Sequence, residues 1–124
     1  MTVLRLGDGD RWSVAAPLWS ALSAVGWFRL SAAGYRFDRH FHDCAEYWVI
    51  TEGRGRVAVG DDLFDVGPGD IVCTQAGAEH DIVLTYTDDL VLLFFEEAMP
   101  SGGTAGHQHR DPASAWHDVG RAAA

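Results

Sequence analysis

The sequence predicts an all-β protein, a barrel or jelly roll, from three observations. In residues 27–95 apolar residues alternate with polar ones in short segments, which is the pattern of strands with one buried face. Glycine-rich turns separate the segments, and long helical periods do not alternate with them, as they would in an α/β fold. The chain has 124 residues, which is the length of one ordinary domain.

The first 24 residues are predicted to form an extension with a short edge strand and a short helix. Residues 2–6 can form the strand, and Gly7-Asp8-Gly9-Asp10 is a turn signal. Pro17 opens a segment with helical spacing, which predicts an amphipathic helix that ends near Gly26. Such an apolar stripe usually packs against the core or a second subunit. The stripe consists of Leu18, Trp19, Leu22 and Val25.

Residues 25–97 are predicted to form the barrel, built from eight strands. Glycine and aspartate punctuate them, as in the hairpin turn at Gly60-Asp61-Asp62 and again at Gly67-Pro68-Gly69-Asp70. The predicted strands are 27–32, 35–42, 45–51, 56–59, 63–66, 71–74, 80–86 and 90–95.

Residues 98–124 are predicted to form a C-terminal tail without strands. The composition shifts to Gly, Ala, Ser, His and Pro, and Asp111-Pro112 could start a short helix through Trp116. His107 and His109 repeat a His-x-His spacing, and His117 follows. Because no strand or carboxylate is predicted nearby, a solvated or docking tail is the better interpretation, and metal ligation is the alternative.

Composition excludes several classes of function. The chain has nine arginines, no lysine and eighteen acidic residues, with a net charge of −9. Lysine Schiff bases and a P-loop lysine are therefore excluded, and the acidic balance argues against nucleic acid and anionic membranes as partners. No long apolar stretch or signal-peptide pattern occurs, so we expect a soluble, cytoplasmic protein.

The two cysteines, Cys44 and Cys73, are not spaced as a metal-binding pair, and we expect both to be reduced. Cys44 lies between His42 and Glu46, so it could act as a ligand if it faced the same side. A small packing residue is the better interpretation, because free cysteine usually behaves in that way.

Three candidate metal ligands, His40, His42 and Glu46, follow one another closely. On a strand the two imidazoles would emerge on one face and Phe41 on the other. Asp43-Cys44-Ala45 can turn, so that Glu46, at the start of the next strand, returns towards the histidines. One metal ion could then meet all three side chains.

The spacing Gly-x5-His-x-His-x3-Glu-x6-Gly, from Gly34 to Gly53, resembles the first motif of the cupin superfamily. A second stretch resembles that family's second motif, although Gln75 stands where Pro is usual and Leu84 where Asn is usual. Neither change removes a metal ligand, and the resemblance covers about residues 25–97. The second stretch comprises Gly69-Asp70, Gln75-Ala76-Gly77, His80 and Leu84.

The resemblance implies a cupin-type jelly-roll β-barrel with one divalent metal ion per chain, held by His40, His42, Glu46 and His80. Three imidazoles and one carboxylate suit Fe(II), which we expect first, and also Mn(II), Ni(II), Co(II), Zn(II) or Cu(II). An octahedral ion would keep two positions free for substrate, dioxygen or water. The resemblance also implies a homodimer, with the N-terminal segment and residues 90–95 in its interface.

Strand alternation predicts the substrate pocket. Residues two apart share a face, so side chains that follow Glu46 and His80 at even spacing would point inward with them. The resulting pocket is aromatic and aliphatic, as small-molecule sites usually are. Its predicted residues are Trp48, Ile50, Ile82 and Leu84.

Two further side chains are candidates for a catalytic role. Tyr86 shares the parity of His80, so it could donate a hydrogen bond or a proton to the substrate, or simply pack. Arg36 shares the parity of His40 and could bind a substrate carboxylate in a bidentate pair. A bulge before the histidines would instead turn Arg36 to the surface.

The function predicted first is a metal-dependent enzyme that acts on a small organic molecule, with an oxygenase (dioxygenase) reaction favoured by the family resemblance. The second hypothesis is a redox-neutral isomerase, epimerase, lyase or cyclase, in which the metal polarises a carbonyl. The third is a binding protein without turnover. Fold alone does not choose among them.

Overall fold

The computed structural model describes residues 3–31 and 34–123, which form two four-stranded β-sheets and one two-stranded sheet. The strands are short and close to the predicted positions, and residue 32 of the first predicted strand lies outside the described residues. They are β1 (Ala24–Ser31), β2 (Arg36–Asp38), β3 (Glu46–Glu52), β4 (Gly55–Val59), β5 (Asp62–Val66), β6 (Ile71–Thr74), β7 (His80–Thr85), β8 (Asp89–Glu96), β9 (Trp116–Asp118) and β10 (Gly120–Arg121).

The two larger sheets have the strand orders β1-β8-β3-β6 and β10-β7-β4-β5, and β2 pairs with β9. All pairs are antiparallel except β10 with β7. The all-β jelly-roll prediction is confirmed with one correction. Within the described residues the strands form separate sheets and do not close into one barrel, so the architecture is a β-sandwich.

Alternate residues of both sheets meet in one hydrophobic core. On β3, for example, Trp48 and Ile50 are buried while the residues between them are half-buried. Burying a large aliphatic side chain contributes about 1.5–3 kcal/mol, so this shared core is the main force that holds the sheets together. Its fully buried members include Leu30, Ile50, Val57, Ile82 and Leu90.

The N-terminal segment differs from its prediction. A 3-10 helix covers Leu6–Asp8 and a single-turn helix, α1, covers Trp12–Ala15, whereas residues 17–23 are not helical. A short N-terminal helix is therefore present, but it lies before Pro17 and not after it. The predicted end near Gly26 instead belongs to β1, which begins at Ala24 and pairs along its whole length with β8. The edge strand predicted for residues 2–6 is absent from residues 3–6, and Thr2 lies outside the described residues.

The described helices are all too short and too polar to cross a membrane. Leu18 and Trp19, from the stripe that we predicted to be packed, are exposed. A helical spacing of apolar residues is therefore not sufficient here, since tertiary pairing overrides a weak local propensity.

The C-terminal segment is docked on the sheets, and the prediction that it lacks strands is wrong. β9 adds to β2, and β10 adds to the edge of β7. Val119, between them, is buried in the core. The helix predicted from Asp111 is a turn. These strands have three and two residues, so partner strands, not their own alternation, define them.

Gly53 should be the most sensitive of the turn glycines. Its φ is +83°, and an added Cβ would lie 1.9 Å from the carbonyl oxygen of Asp89. We expect Gly53→Ala to lower the free energy of unfolding by about 3 kcal/mol, because the left-handed backbone costs about 1–2 kcal/mol and β8 must also move. Gly69→Ala, with φ +91° in open space, is the matched control and should cost about 1–2 kcal/mol. Equal losses in urea denaturation would contradict the clash.

The contact between His117 and Asp81 should make the docking of the C-terminal segment depend on pH. His117 Nε2 lies 2.6 Å from Asp81 Oδ1. Burial lowers the pKa of His117, but the hydrogen bond to Asp81 outweighs it, and the pKa lies above its ordinary value of 6.5. A histidine whose pKa is higher in the folded than in the unfolded state stabilises the folded protein when it is protonated. This stabilisation is complete at pH values below the unfolded-state pKa, and it is lost as the pH rises through the folded-state pKa.

We therefore expect His117→Gln, which keeps a neutral N–H donor, to lower Tm more at about pH 5.5 than at about pH 9. Thermal unfolding of both proteins at each pH gives the difference. A Tm difference that stays constant with pH would show that the charge of His117 contributes nothing.

Candidate metal centre

The four side chains that the motifs predict as ligands lie together. His40, His42, Glu46 and His80 are all buried, and one ligand atom from each lies within 4.8 Å of the others. They come from three places in the fold: the segment after β2, the first residue of β3 and the first residue of β7. The topology therefore brings together residues that are up to forty positions apart.

Backbone hydrogen bonds fix these positions. The amide of His40 donates to the carbonyl of His80 and the reverse bond is also made, at 3.3 and 2.9 Å, and Gly77 N donates to His42 O at 2.8 Å. The predicted strand through His42 is not regular, because β2 ends at Asp38 and only isolated bridges follow. Both imidazoles nevertheless face the cluster.

The spacing of the ligand atoms fits a single divalent ion. His40 Nε2 and His80 Nε2 are 2.8 Å apart, and so are His42 Nε2 and Glu46 Oε2. Glu46 Oε2 lies 4.0 Å from His80 Nε2. Ligands about 2.1 Å from one ion lie about 3 Å apart at neighbouring octahedral positions and about 4 Å apart at opposite ones.

A second layer of hydrogen bonds orients the ligands. His40 Nδ1 donates to the carbonyl of Asp38 and His42 Nδ1 to that of Gly106, which leaves both Nε2 atoms with a lone pair for a metal. The indole N–H of Trp48 donates to Glu46 Oε1, so Oε2 is the carboxylate oxygen directed at the cluster.

Burial acts unequally on the ionisable groups of the cluster. It lowers the pKa of His40 to about 4 and that of His80 to about 3, so both are neutral near pH 7. Burial also acts to lower the pKa of His42, but the carboxylates of Glu46 and Glu96 raise it above its ordinary value. Burial acts to raise the pKa of Glu46, but the contacts with His42 and His80 outweigh burial, and the pKa of Glu46 lies below its ordinary value.

A cavity of about 130 Å³ adjoins the cluster and is lined by His40, His42 and Glu46. Its other polar side chains are Glu96 and His107. Apolar and mostly aromatic residues form the remaining wall, so open coordination positions of a bound ion would face an apolar space. They are Phe28, Phe37, Trp48, Leu92 and Phe94.

Of the four predicted pocket residues, the structure places Trp48 in the wall of this cavity and the other three away from it. Ile50 and Ile82 point inward but lie in the hydrophobic core away from the cavity. Leu84 is half-buried and does not line the cavity. The register between β4 and β7 shifts after Arg56, and such a bulge reverses the alternation of the strand.

The same shift places Tyr86 outside the cavity, where its hydroxyl donates to Asp65 Oδ1 at 2.7 Å. Arg36 is exposed and pairs with Asp118 at 3.5 Å. Phe37, not Arg36, faces the cavity. The structure therefore brings neither Tyr86 nor Arg36 into the cavity wall, and it places Arg36 on the surface, the alternative stated for it.

Sequence reasoning missed Glu96, and it singled out His107 only by its His-x-His spacing, without placing it at the cavity. Leu92, Phe94 and Glu96 alternate along β8 and all line the cavity. The same alternation in the sequence could therefore have identified Glu96. It is the direct cross-strand neighbour of Glu46, and Cys44 Sγ lies 3.7 Å from its carboxylate. No strand pattern marks His107, because its position depends on the docking of the C-terminal segment.

Comparison with known proteins identifies related sequences and folds. A sequence model described as Cupin domain matches residues 26–96. The uncharacterized protein y4oW of Sinorhizobium fredii (strain NBRC 101917 / NGR234) is 42% identical over 71 residues, which are 57% of this chain and 32% of that protein. The chain therefore matches about a third of the length of this relative.

Two solved structures have a similar fold. A cupin 2 conserved barrel domain protein from Rhodopseudomonas palustris is 21% identical, with a TM-score of 0.65 over 80% of this chain and 64% of the other. The DMSP lyase DddQ from Ruegeria pomeroyi is 25% identical, with a TM-score of 0.56 over 64% of this chain and 40% of the other.

The hydrogen bond from Trp48 to Glu46 should contribute to metal affinity. We expect Trp48→Phe to weaken metal binding about tenfold, as losses of such outer contacts usually do, while a phenyl ring keeps an aromatic contact with His80. Trp27→Phe, at a position that is 60% exposed, is the control. Competition titrations with a chelator measure the affinity, and equal affinities for the two variants would exclude this role.

Proposed function

The chain belongs to the cupin family, and from this premise we propose that it is an enzyme that uses one divalent metal ion to transform a small organic molecule. His40, His42, Glu46 and His80 would hold the ion. The observation that carries the proposal is that this four-ligand cluster borders an apolar cavity, since a site that only stabilised the fold would have no need of such a space.

When bound, the ion supplies Lewis acidity and, if it is redox-active, electron transfer between substrate and dioxygen. The residues of this chain do the rest. Phe28, Phe37 and Phe94 give the cavity an apolar wall, and Trp48 and the carbonyls of Asp38 and Gly106 hold Glu46, His40 and His42 in place. Fe(II) is the ion proposed first, with Mn(II), Ni(II), Co(II), Zn(II) or Cu(II) as the other members of the set.

The size and polarity of the cavity support an oxygenase reaction on a small, largely apolar substrate. An apolar cavity of about 150 Å³ holds benzene, so the observed 130 Å³ suits a molecule of that order. Apolar walls favour an organic substrate and dioxygen over bulk water. A dioxygenase is therefore the reaction class that we propose first.

Glu96 favours a second candidate, a redox-neutral lyase or isomerase. Its carboxylate lines the cavity and lies 3.3 Å from His42 Nδ1. Burial, and then the charge of Glu46, raise the pKa of Glu96, so it can exchange a proton with a substrate closer to neutral pH. The likeness to a protein named as a lyase supports this alternative.

A homodimer and a cytoplasmic location stay predictions. Leu18 and Trp19 in the N-terminal segment are exposed, as a dimer contact would require. β8 lies between β1 and β3, so both of its edges are already paired and only its outer face could meet a partner.

Elemental analysis of protein purified without chelator or affinity tag tests the proposal. We expect about one equivalent of a divalent metal in the wild type, none in the His40→Ala/His80→Ala variant, and an unchanged content in His117→Ala, whose histidine lies outside the cluster. An oxygen electrode then separates the candidates, because only the oxygenase consumes dioxygen with its substrate. A wild type that neither contains nor takes up any divalent ion contradicts both candidates and favours a binding protein without metal.

A further inference from the structure

Resting on the metal site proposed above, we propose that His107 contacts the substrate and selects a small uncharged molecule that carries a hydroxyl group beside its metal-binding oxygen. His107 belongs to residues 104–110, here called the strap, which lie outside the predicted barrel domain. The strap runs past the cluster and places His107 in the wall of the cavity.

Hydrogen bonds fix the strap on both sides of His107. Thr104 N donates to Asp43 Oδ2 at 2.7 Å, and the carbonyl of Gly106 accepts from His42 Nδ1 at 3.1 Å. On the other side, Gln108 and Phe41 exchange two backbone hydrogen bonds at 2.9 and 3.0 Å. The backbone at His107 is therefore held by the same segment that carries two of the ligands.

Asp38 determines which ring nitrogen of His107 can accept a hydrogen bond. Its carboxylate is buried and lies 3.0 Å from His107 Nδ1 and 2.6 Å from His109 Nε2. Because a carboxylate only accepts, Nδ1 of His107 carries a hydrogen directed at Asp38, and Nε2 is the ring nitrogen left for a substrate group. His107 lines the cavity and Asp38 does not, so the ring edge opposite Asp38 is the one that a substrate meets.

His107 is not arranged to bind the metal itself. Its ring stacks on that of His40, with 3.7 Å between centroids and 7° between planes. A metal ligand must have the ion close to its own ring plane, in the direction of the lone pair. Asp38, His40 and His107 also offer ligand atoms within 4.8 Å of one another, but an ion in the plane of His40 lies well outside the parallel plane of His107, so one ion cannot serve both rings. The role left for Nε2 is a hydrogen bond with the substrate.

The charges around the cavity define the substrate class. The ionisable lining residues are the acidic Glu46 and Glu96 and the three histidines, and no arginine is among the described residues that line the cavity. A substrate carboxylate held away from the ion would meet Glu96 with no arginine to pair with it. A hydroxyl group, in contrast, finds a hydrogen-bond partner in His107, while an apolar remainder contacts the aromatic wall.

Hydroxyacetone and butanone test this selection, since they have equal numbers of heavy atoms and differ by a hydroxyl in place of a methyl group. Each is titrated into Co(II)-loaded protein, and the visible spectrum of the metal reports binding. For each protein the Kd of butanone is divided by the Kd of hydroxyacetone. We expect this ratio to be about fivefold larger in the wild type than in His107→Leu, because the wild type makes one more neutral hydrogen bond to hydroxyacetone. His107→Gln, whose amide can donate to Asp38 and accept from the probe, should keep most of the preference.

Metal content is measured on every variant. Unchanged cobalt in His107→Leu with loss of the hydroxyacetone preference supports the proposal, and recovery of the preference in His107→Gln distinguishes the hydrogen bond from a structural effect. A preference that survives in His107→Leu, a wild type that responds to neither probe, or cobalt loss in His107→Leu overturns it. A wild type that takes up no cobalt instead overturns the proposed metal site.

Discussion

Four ligating side chains are buried within 4.8 Å of one another, and the arrangement of the surrounding fold follows from that constraint. Burying a carboxylate and several imidazoles costs free energy unless each finds a partner. The cost is offset by the two backbone carbonyls that accept from His40 and His42 and by the indole that donates to Glu46. These partners hold three of the four ligands in one orientation, whereas the buried Nδ1 of His80 has no hydrogen-bond partner among the described residues; a metal would therefore meet a largely preformed site.

The sheets supply the rigidity that such a site requires. β3, which carries Glu46, is paired on both sides, and so is β7, which carries His80. The C-terminal segment adds what the sheets lack. The carbonyl of Gly106 and the ring of His107 come from beyond residues 26–96, the part that matches the family model. The metal-binding residues thus belong to the family pattern, whereas part of the cavity wall belongs to this chain's own C-terminal segment.

The ligands could be predicted from the sequence because their identity and spacing are local properties of two short motifs. The pocket could be predicted only in part. Alternation placed Trp48 in the cavity wall on the regular strand β3, but it misplaced Leu84 and Tyr86, since the bulge within β7 depends on the pairing of this strand with β4. Alternation on β8 would have identified Phe94 and Glu96. The His-x-His spacing marks His107 locally but does not place it at the cavity, because its position depends on contacts between segments about seventy residues apart.

The cross-strand pair Glu46 and Glu96 bears on which substrates the proposed site would accept. Two carboxylates directly opposite each other on neighbouring strands repel, and burial together with Glu46 raises the pKa of Glu96. A divalent ion would bring two positive charges to this pair, so two ionised carboxylates would leave the site nearly neutral. Such a site attracts anions weakly. An uncharged molecule loses little hydration free energy when it enters the cavity, and it gains contact with the aromatic wall and one hydrogen bond. The charge balance at the cluster and the apolar wall of the cavity therefore favour the same class of substrate.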